Sequence, residues 1–173
     1  MFNKILVATD MVTAVDAPVV TAARLARQHD AHLSLLHVME SSSTDNRRLI
    51  RHFETGEEML ADVSYADTVR QALAATYPQL LADVSFEIRI TVGYPWQEIL
   101  LWAKTTDSDI ILLGPHSSRA EEKGVVRIAG RVGSTVENVI TRETCPVMIV
   151  NQPGSMDQLS FQRVLVATDF SRS

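Results

Sequence analysis

Short apolar runs alternate with helix-period stretches along residues 1–150, and this alternation constrains the fold more than any other feature of the chain. ILVA at 5–8 is too short for a helix and ends at Thr9 and Asp10, which marks a buried strand. From 11 to 29, Val15, Val19, Ala22 and Ala26 recur at spacings of four, three and four, one face of an amphipathic helix. LSLLHV at 33–38 is a second strand. Residues 40–58, which include SSSTDNRR, read as a loop without pattern. Met59, Val63, Ala66, Val69, Leu73 and Leu80 then follow helical spacing to about residue 81. FEIRITV at 86–92 alternates apolar with polar residues and stops at Gly93, and Pro95 sits where a first helical turn tolerates proline. Trp96, Ile99, Leu100 and Ala103 give the next helix its apolar face. DIILLG at 109–114 is a further buried strand, followed by a long polar loop to residue 132. A helix starts at GSTVE, where Ser134 and Glu137 have capping-box spacing, and CPVMIV at 145–150 is the last strand.

Strands that alternate with helices predict an α/β fold: an open parallel sheet with right-handed crossovers and helices on both faces. The first, second and fourth strands are apolar throughout and belong at the centre, buried on two sides. The alternating third strand suits an edge, as does the fifth, which begins beside Pro146. The order 3-2-1-4-5 meets these conditions. It puts the topological switch point between strands one and four, with a crevice past their carboxyl ends. Asp10 and Gly114 stand there.

Composition narrows the function classes. The 16 basic against 21 acidic residues leave a formal charge of −5, which disfavours a nucleic-acid or anionic-membrane surface. No apolar run approaches the ~20 residues of a spanning helix, and residues 1–10 do not have the form of a signal peptide. The single cysteine, Cys145, excludes an intrachain disulfide framework and a cysteine zinc cluster. These features lead us to expect a cytoplasmic protein with no dedicated metal site. His29, His32, His37, His52 and His116 show no metal spacing; His37, within a buried strand, reads as a core histidine. No P-loop lysine motif and no G-x-S-x-G elbow occur.

The opening strand returns near the end. FNKILVATD at 2–10 recurs as FQRVLVATD at 161–169, an offset of 159 residues with LVATD identical. The expected organisation is a domain over 1–150, a linker over 151–160 with Pro153 and Gly154, and the first strand of a truncated second copy over 161–173.

In this order, KILVATD, LSLLHV, GYPWQEIL, DSDIILLG, GSTVENVI and CPVMIV resemble the universal stress protein family, and the repeat resembles its tandem members. The resemblance implies a five-stranded parallel sheet, an adenine-nucleotide cleft in many members, and dimers that pair last strands. The nucleotide fingerprint of such members is G-x-x-G, nine residues, then G-S or G-T. Gly114 matches its first glycine and Gly133 with Ser134 its last pair. Ser117 replaces the middle glycine, and 18 residues separate Gly114 from Gly133 where the pattern leaves 12. By resemblance, Asp10 contacts the adenosine portion and the backbone of Val38 contacts the base.

A phosphate needs converging backbone N–H groups, which glycines and a helix N-terminus supply. Gly133, Ser134 and Thr135 stand at such a start, with two hydroxyls beside it; an ordinary N-cap at Ser134 explains the same residues. Arg119, Lys123, Arg127 and Arg131 lie in the preceding loop against Glu121 and Glu122. They could offset ligand charge or form a solvated surface.

Two functions follow. One is a regulatory module, not an enzyme, that binds ATP or a related adenine nucleotide through Asp10, Val38, Gly114, Ser117, Gly133, Ser134 and Thr135. The other is a structural or dimerisation half with a degenerate cleft. Slow ATP hydrolysis ranks third, since no residue stands out as a base to orient water. The apolar last strand, residues 146–150, is expected to pair with a second copy or with the second domain.

Overall fold

A computed structural model of the chain describes residues 2–11, 16–41, 49–52, 55–115, 132–152 and 165–166. Its elements are β1 (Lys4–Ala8), α1 (Ala17–His29), β2 (His32–Glu40), β3 (Leu49–Arg51), β4 (Glu58–Leu60), α2 (Val63–Thr76) and α3 (Pro78–Leu81). They continue with β5 (Phe86–Gly93), α4 (Pro95–Thr106), β6 (Ile110–Leu113), α5 (Ser134–Arg142) and β7 (Val147–Ile149). Five strands form one sheet in the order β5-β2-β1-β6-β7, with each neighbouring pair parallel. This is the 3-2-1-4-5 order read from strand chemistry. The apolar strands β1, β2 and β6 occupy the centre, and the alternating β5 and the short β7 the edges.

The period-2 geometry of each strand divides the core in two. Ile5, Val7, Leu33, Leu35, Ile110 and Leu112 face α1 and the α2–α3 region, where Val19, Ala22, Ala26 and Leu73 pack. Leu6, Leu36, Val38, Ile111 and Leu113 face the other way, onto Ile99 and Ala103 of α4 and Val136 and Val139 of α5. The central strands are therefore apolar on both sides because both sides are covered. Asp30 and Asp107 end α1 and α4 in the left-handed region, at φ 53° each, a conformation Asp tolerates. At the amino end of the sheet, one carboxylate oxygen of Asp109 accepts the N–H of Asn3 at 2.6 Å and of Lys4 at 2.9 Å, latching β6 to β1.

Three expectations change. Residues 40–58 are not one loop: β3 and β4 form an antiparallel pair, and Ser41 bridges to Ile50. Strands of three residues carry too little alternation to be read as such. Met59 belongs to β4, so the helix expected from 59 to 81 begins at Val63, which is 79% exposed, and is interrupted at Tyr77 before α3. Nor does the first helix run from residue 11. Met11 has φ 66°, in the left-handed region, and α1 starts at Ala17, with Pro18 in its first turn. Val15 lies outside the described residues.

Candidate functional site

The crevice arises from strand lengths. Ala8, the last residue of β1, pairs with Leu36, while β2 continues along β5 as far as Glu40 opposite Gly93. The Thr9 N–H donates to the Leu36 carbonyl at 3.0 Å, so the backbone of Leu36 faces β1. Strand backbone groups alternate in direction, so the N–H and C=O of Val38 face the same way, past the end of β1. Across the crevice, Gly114 follows β6, and the Gly133 N–H donates to the Pro115 carbonyl at 2.8 Å. That bond ties the start of α5 to the end of β6. Asp10, Val38, Gly114, Gly133, Ser134 and Thr135 thus gather at the carboxyl edge of adjacent strands. Ser117 and most of the loop before Gly133, with its basic side chains and His116, lie outside the described residues.

The α5 start differs from the expected cap. Gly133 is the N-cap residue, with φ −67° and ψ 156°, and Ser134 is already helical, so no capping box forms between Ser134 and Glu137. Glu137 donates its N–H to the Gly133 carbonyl at 3.0 Å, the first bond of the helix. With the Gly133 amide engaged by Pro115, the anion-facing donors reduce to the first-turn amides of Ser134, Thr135 and Val136. Helix geometry leaves these amides without an intrahelical acceptor, at the positive end of the dipole.

Beneath Asp10 lies a polar cluster that sequence reasoning missed. The Thr9 hydroxyl contacts Asp16 Oδ2 at 2.5 Å, the Met11 N–H at 3.1 Å and the Tyr77 hydroxyl at 3.5 Å. His37 Nδ1 meets the Thr9 carbonyl at 2.9 Å. His37 and Tyr77 are fully buried, so the reading of His37 as a core histidine holds. Burial pushes the Asp16 carboxyl up to about 6; the Thr9 hydrogen bond opposes that shift and the neighbouring Asp10 charge adds to it. Burial likewise raises the Tyr77 phenol to about 12. Thr9 recurs as Thr168 in the sequence repeat, the one signal that could have found it. Tyr77 lies 68 residues away with no pattern linking it to Thr9.

Among the described residues, no group of three or more His, Cys, Asp or Glu side chains is placed to hold a metal ion. Among them, too, no helix is long and apolar enough to cross a membrane. Cys145 is free, and burial pushes its thiol up to about 11, away from nucleophilic chemistry.

Residues 1–151 match the family model described as the universal stress protein family. Universal stress protein MJ0577 of Methanocaldococcus jannaschii is 35% identical over 77 residues, which is 43% of this chain and 44% of that protein; the match spans less than half of that curated relative. Among solved structures, a universal stress protein in complex with cAMP superposes with a TM-score of 0.57 at 20% identity, covering 87% of this chain and 97% of that one. The Archaeoglobus fulgidus universal stress protein in complex with dAMP gives a TM-score of 0.56 at 16% identity, over 86% of this chain and 98% of that one. At these identities the likeness is one of fold.

Proposed function

This chain belongs to the universal stress protein family, and on that premise we propose that it is a cytoplasmic regulatory module that binds ATP or a related adenine nucleotide between β1 and β6. The observation that carries the proposal is the pairing, across the end of β1, of the outward backbone edge of Val38 with the first-turn amides of α5. An adenine ring offers an alternating donor and acceptor edge that one strand residue can meet. A phosphate suits a helix start. In this reading Val38 reads the base and Asp10 accepts from the adenosine portion. Ser134 and Thr135 bind phosphate, with Gly114 and Gly133 letting the backbone come close. Two proteins of the same fold have been solved in complex with cAMP and with dAMP, ligands that share an adenine base, a furanose sugar and one phosphate. Binding and release, rather than turnover, is the activity proposed.

One observation favours the second reading, a structural half with a degenerate cleft: the Gly133 amide is committed to Pro115. We take residues 1–150 as one domain, 151–160 as a linker and 161–173 as the start of a second copy. The LVATD repeat supports this, as do Leu165 and Val166, which are 93% and 81% exposed and lie outside any strand. In the tandem form, β7 would pair with the second domain; otherwise it would pair with a second copy of the chain.

Equilibrium binding of labelled ATP, AMP and cAMP tests the nucleotide reading. Saturable binding that weakens at least tenfold in Asp10→Ala supports it. No saturable binding at millimolar ligand leaves the structural half.

A further inference from the structure

Thr9 has one hydroxyl donor and two acceptor sites, and its three contacts use all of them when Asp16 is ionised. The hydroxyl donates to Asp16 Oδ2, which when ionised can only accept. It then accepts from the Met11 N–H and from the Tyr77 hydroxyl. The Thr9 backbone is fixed as well, its N–H on the Leu36 carbonyl and its carbonyl at His37 Nδ1. What hangs from this anchor is the Asp10–Met11 step. Met11 holds φ 66°, a costly conformation for a side chain of this kind that persists only where its surroundings enforce it. The Thr9 hydroxyl supplies one such restraint directly, through the Met11 N–H.

We propose that Asp16 is a positioning residue of the nucleotide site: through the Thr9 hydroxyl, with Tyr77, it fixes the left-handed step at Met11 and so sets where Asp10 presents its carboxylate. The proposal rests on the nucleotide reading above and deepens it, because Asp16 and Tyr77 need touch no ligand to govern affinity.

The ionised form of Asp16 makes this arrangement directional. A carboxylate commits the Thr9 proton to itself and leaves both acceptor sites for Met11 and Tyr77. A protonated Asp16 becomes a donor that can compete for those same sites, and its remaining acceptor is weaker. Its carboxyl, raised to about 6 chiefly by burial, changes state at mildly acid pH. The titratable groups around it are Asp10 just after β1, Tyr77 at the α2–α3 junction and His37 on β2. Adenosine keeps a constant charge between pH 5 and 8 and is the suitable probe, since the phosphates of ATP titrate in that range.

The test has two arms on the full chain. In the first, the adenosine Kd is measured from pH 5 to pH 8 for wild type, Thr9→Val, Thr9→Ser, Asp16→Asn and Tyr77→Phe. We expect wild-type affinity to fall several-fold on acidification. Asp16→Asn should flatten that profile even though His37 remains. Thr9→Val should weaken binding roughly tenfold and Thr9→Ser should restore it, about the loss of one hydrogen bond to a charged group. A purely structural cluster would shift the melting temperature of the variants and leave the Kd of the folded protein and its pH profile unmoved, which would overturn the proposal. In the second arm, hydrogen exchange at the Met11 amide needs no ligand. Protection in wild type and Thr9→Ser that is lost in Thr9→Val supports the anchor, and equal protection in all three overturns it. If wild type binds no adenosine or nucleotide at all, the functional reading fails, and the exchange arm still decides whether Thr9 holds the turn.

Discussion

Asp16 carries opposite consequences for folding and for the site. Its carboxyl is raised from 3.8 to about 6 in the folded state, so its favourable contribution to stability is fully present below about pH 3.8 and is lost as pH rises through about 6. Asp16→Asn should therefore raise stability at pH 7.5, by on the order of 3 kcal/mol, and flatten the stability profile between pH 4 and 6. Thermal unfolding across that range checks it. Asp109 has the opposite sign. The Asn3 and Lys4 amides hold its carboxyl below the usual range, so its contribution is present above pH 3.8 and is lost as pH falls through that lowered value. Asp109→Asn should lower stability at neutral pH and blunt acid unfolding below pH 4. Gly93 is a third case. A Cβ there would lie 2.8 Å from Glu98 Oε1 and 3.2 Å from its Cγ. Gly93→Ala should cost about 1 kcal/mol, and a double-mutant cycle with Glu98→Ala should return most of that. Asp10 and Gly114 could be placed at the crevice because each follows a readable strand, whereas Val38 entered only through the family resemblance. Thr9, Asp16 and Tyr77 could not be read, because a buried cluster drawn from three segments leaves no periodic trace.

The strands of the main sheet could be read because their chemistry matched their place: apolar throughout in the middle, alternating at the rim. The β3–β4 pair escaped because its contribution is concentrated in one side chain. Ile50 is fully buried and packs with Met39, Tyr65 and Val69. Ile50→Ala should cost about 2–5 kcal/mol and expose the ends of β2 and β5, seen as lost amide protection from Val38 to Ser41. The break between α2 and α3 was likewise hidden, since Leu73 and Leu80 keep a helical spacing across Tyr77 and Pro78. Here the backbone is held from outside. Arg27 of α1 donates to the carbonyls of Leu80 at 2.5 Å and Ala82 at 3.2 Å, covering the open end of α3.

For the whole molecule, the two edges of the sheet differ. β5 is long and carries Glu87 and Arg89, while β7 is three residues, all apolar and only partly covered. The backbone groups of Pro146 and Val150 face β6, so by alternation the Ile149 N–H faces the exposed rim. Sedimentation should therefore detect a dimer that Ile149→Pro disrupts without unfolding the domain, because proline removes a donor from that rim. A monomer at all concentrations would refute pairing with a second copy. The centre of the sheet has a further consequence, one of timing. β1 meets β2 within about 28 residues of chain but meets β6 only about 105 residues later. At a ribosomal pace of roughly 5–20 residues per second, one flank of this central strand stays open for roughly 5–20 s after it is made. During synthesis the nascent protein therefore depends on whatever shelters that flank, the exit tunnel first and chaperones after it.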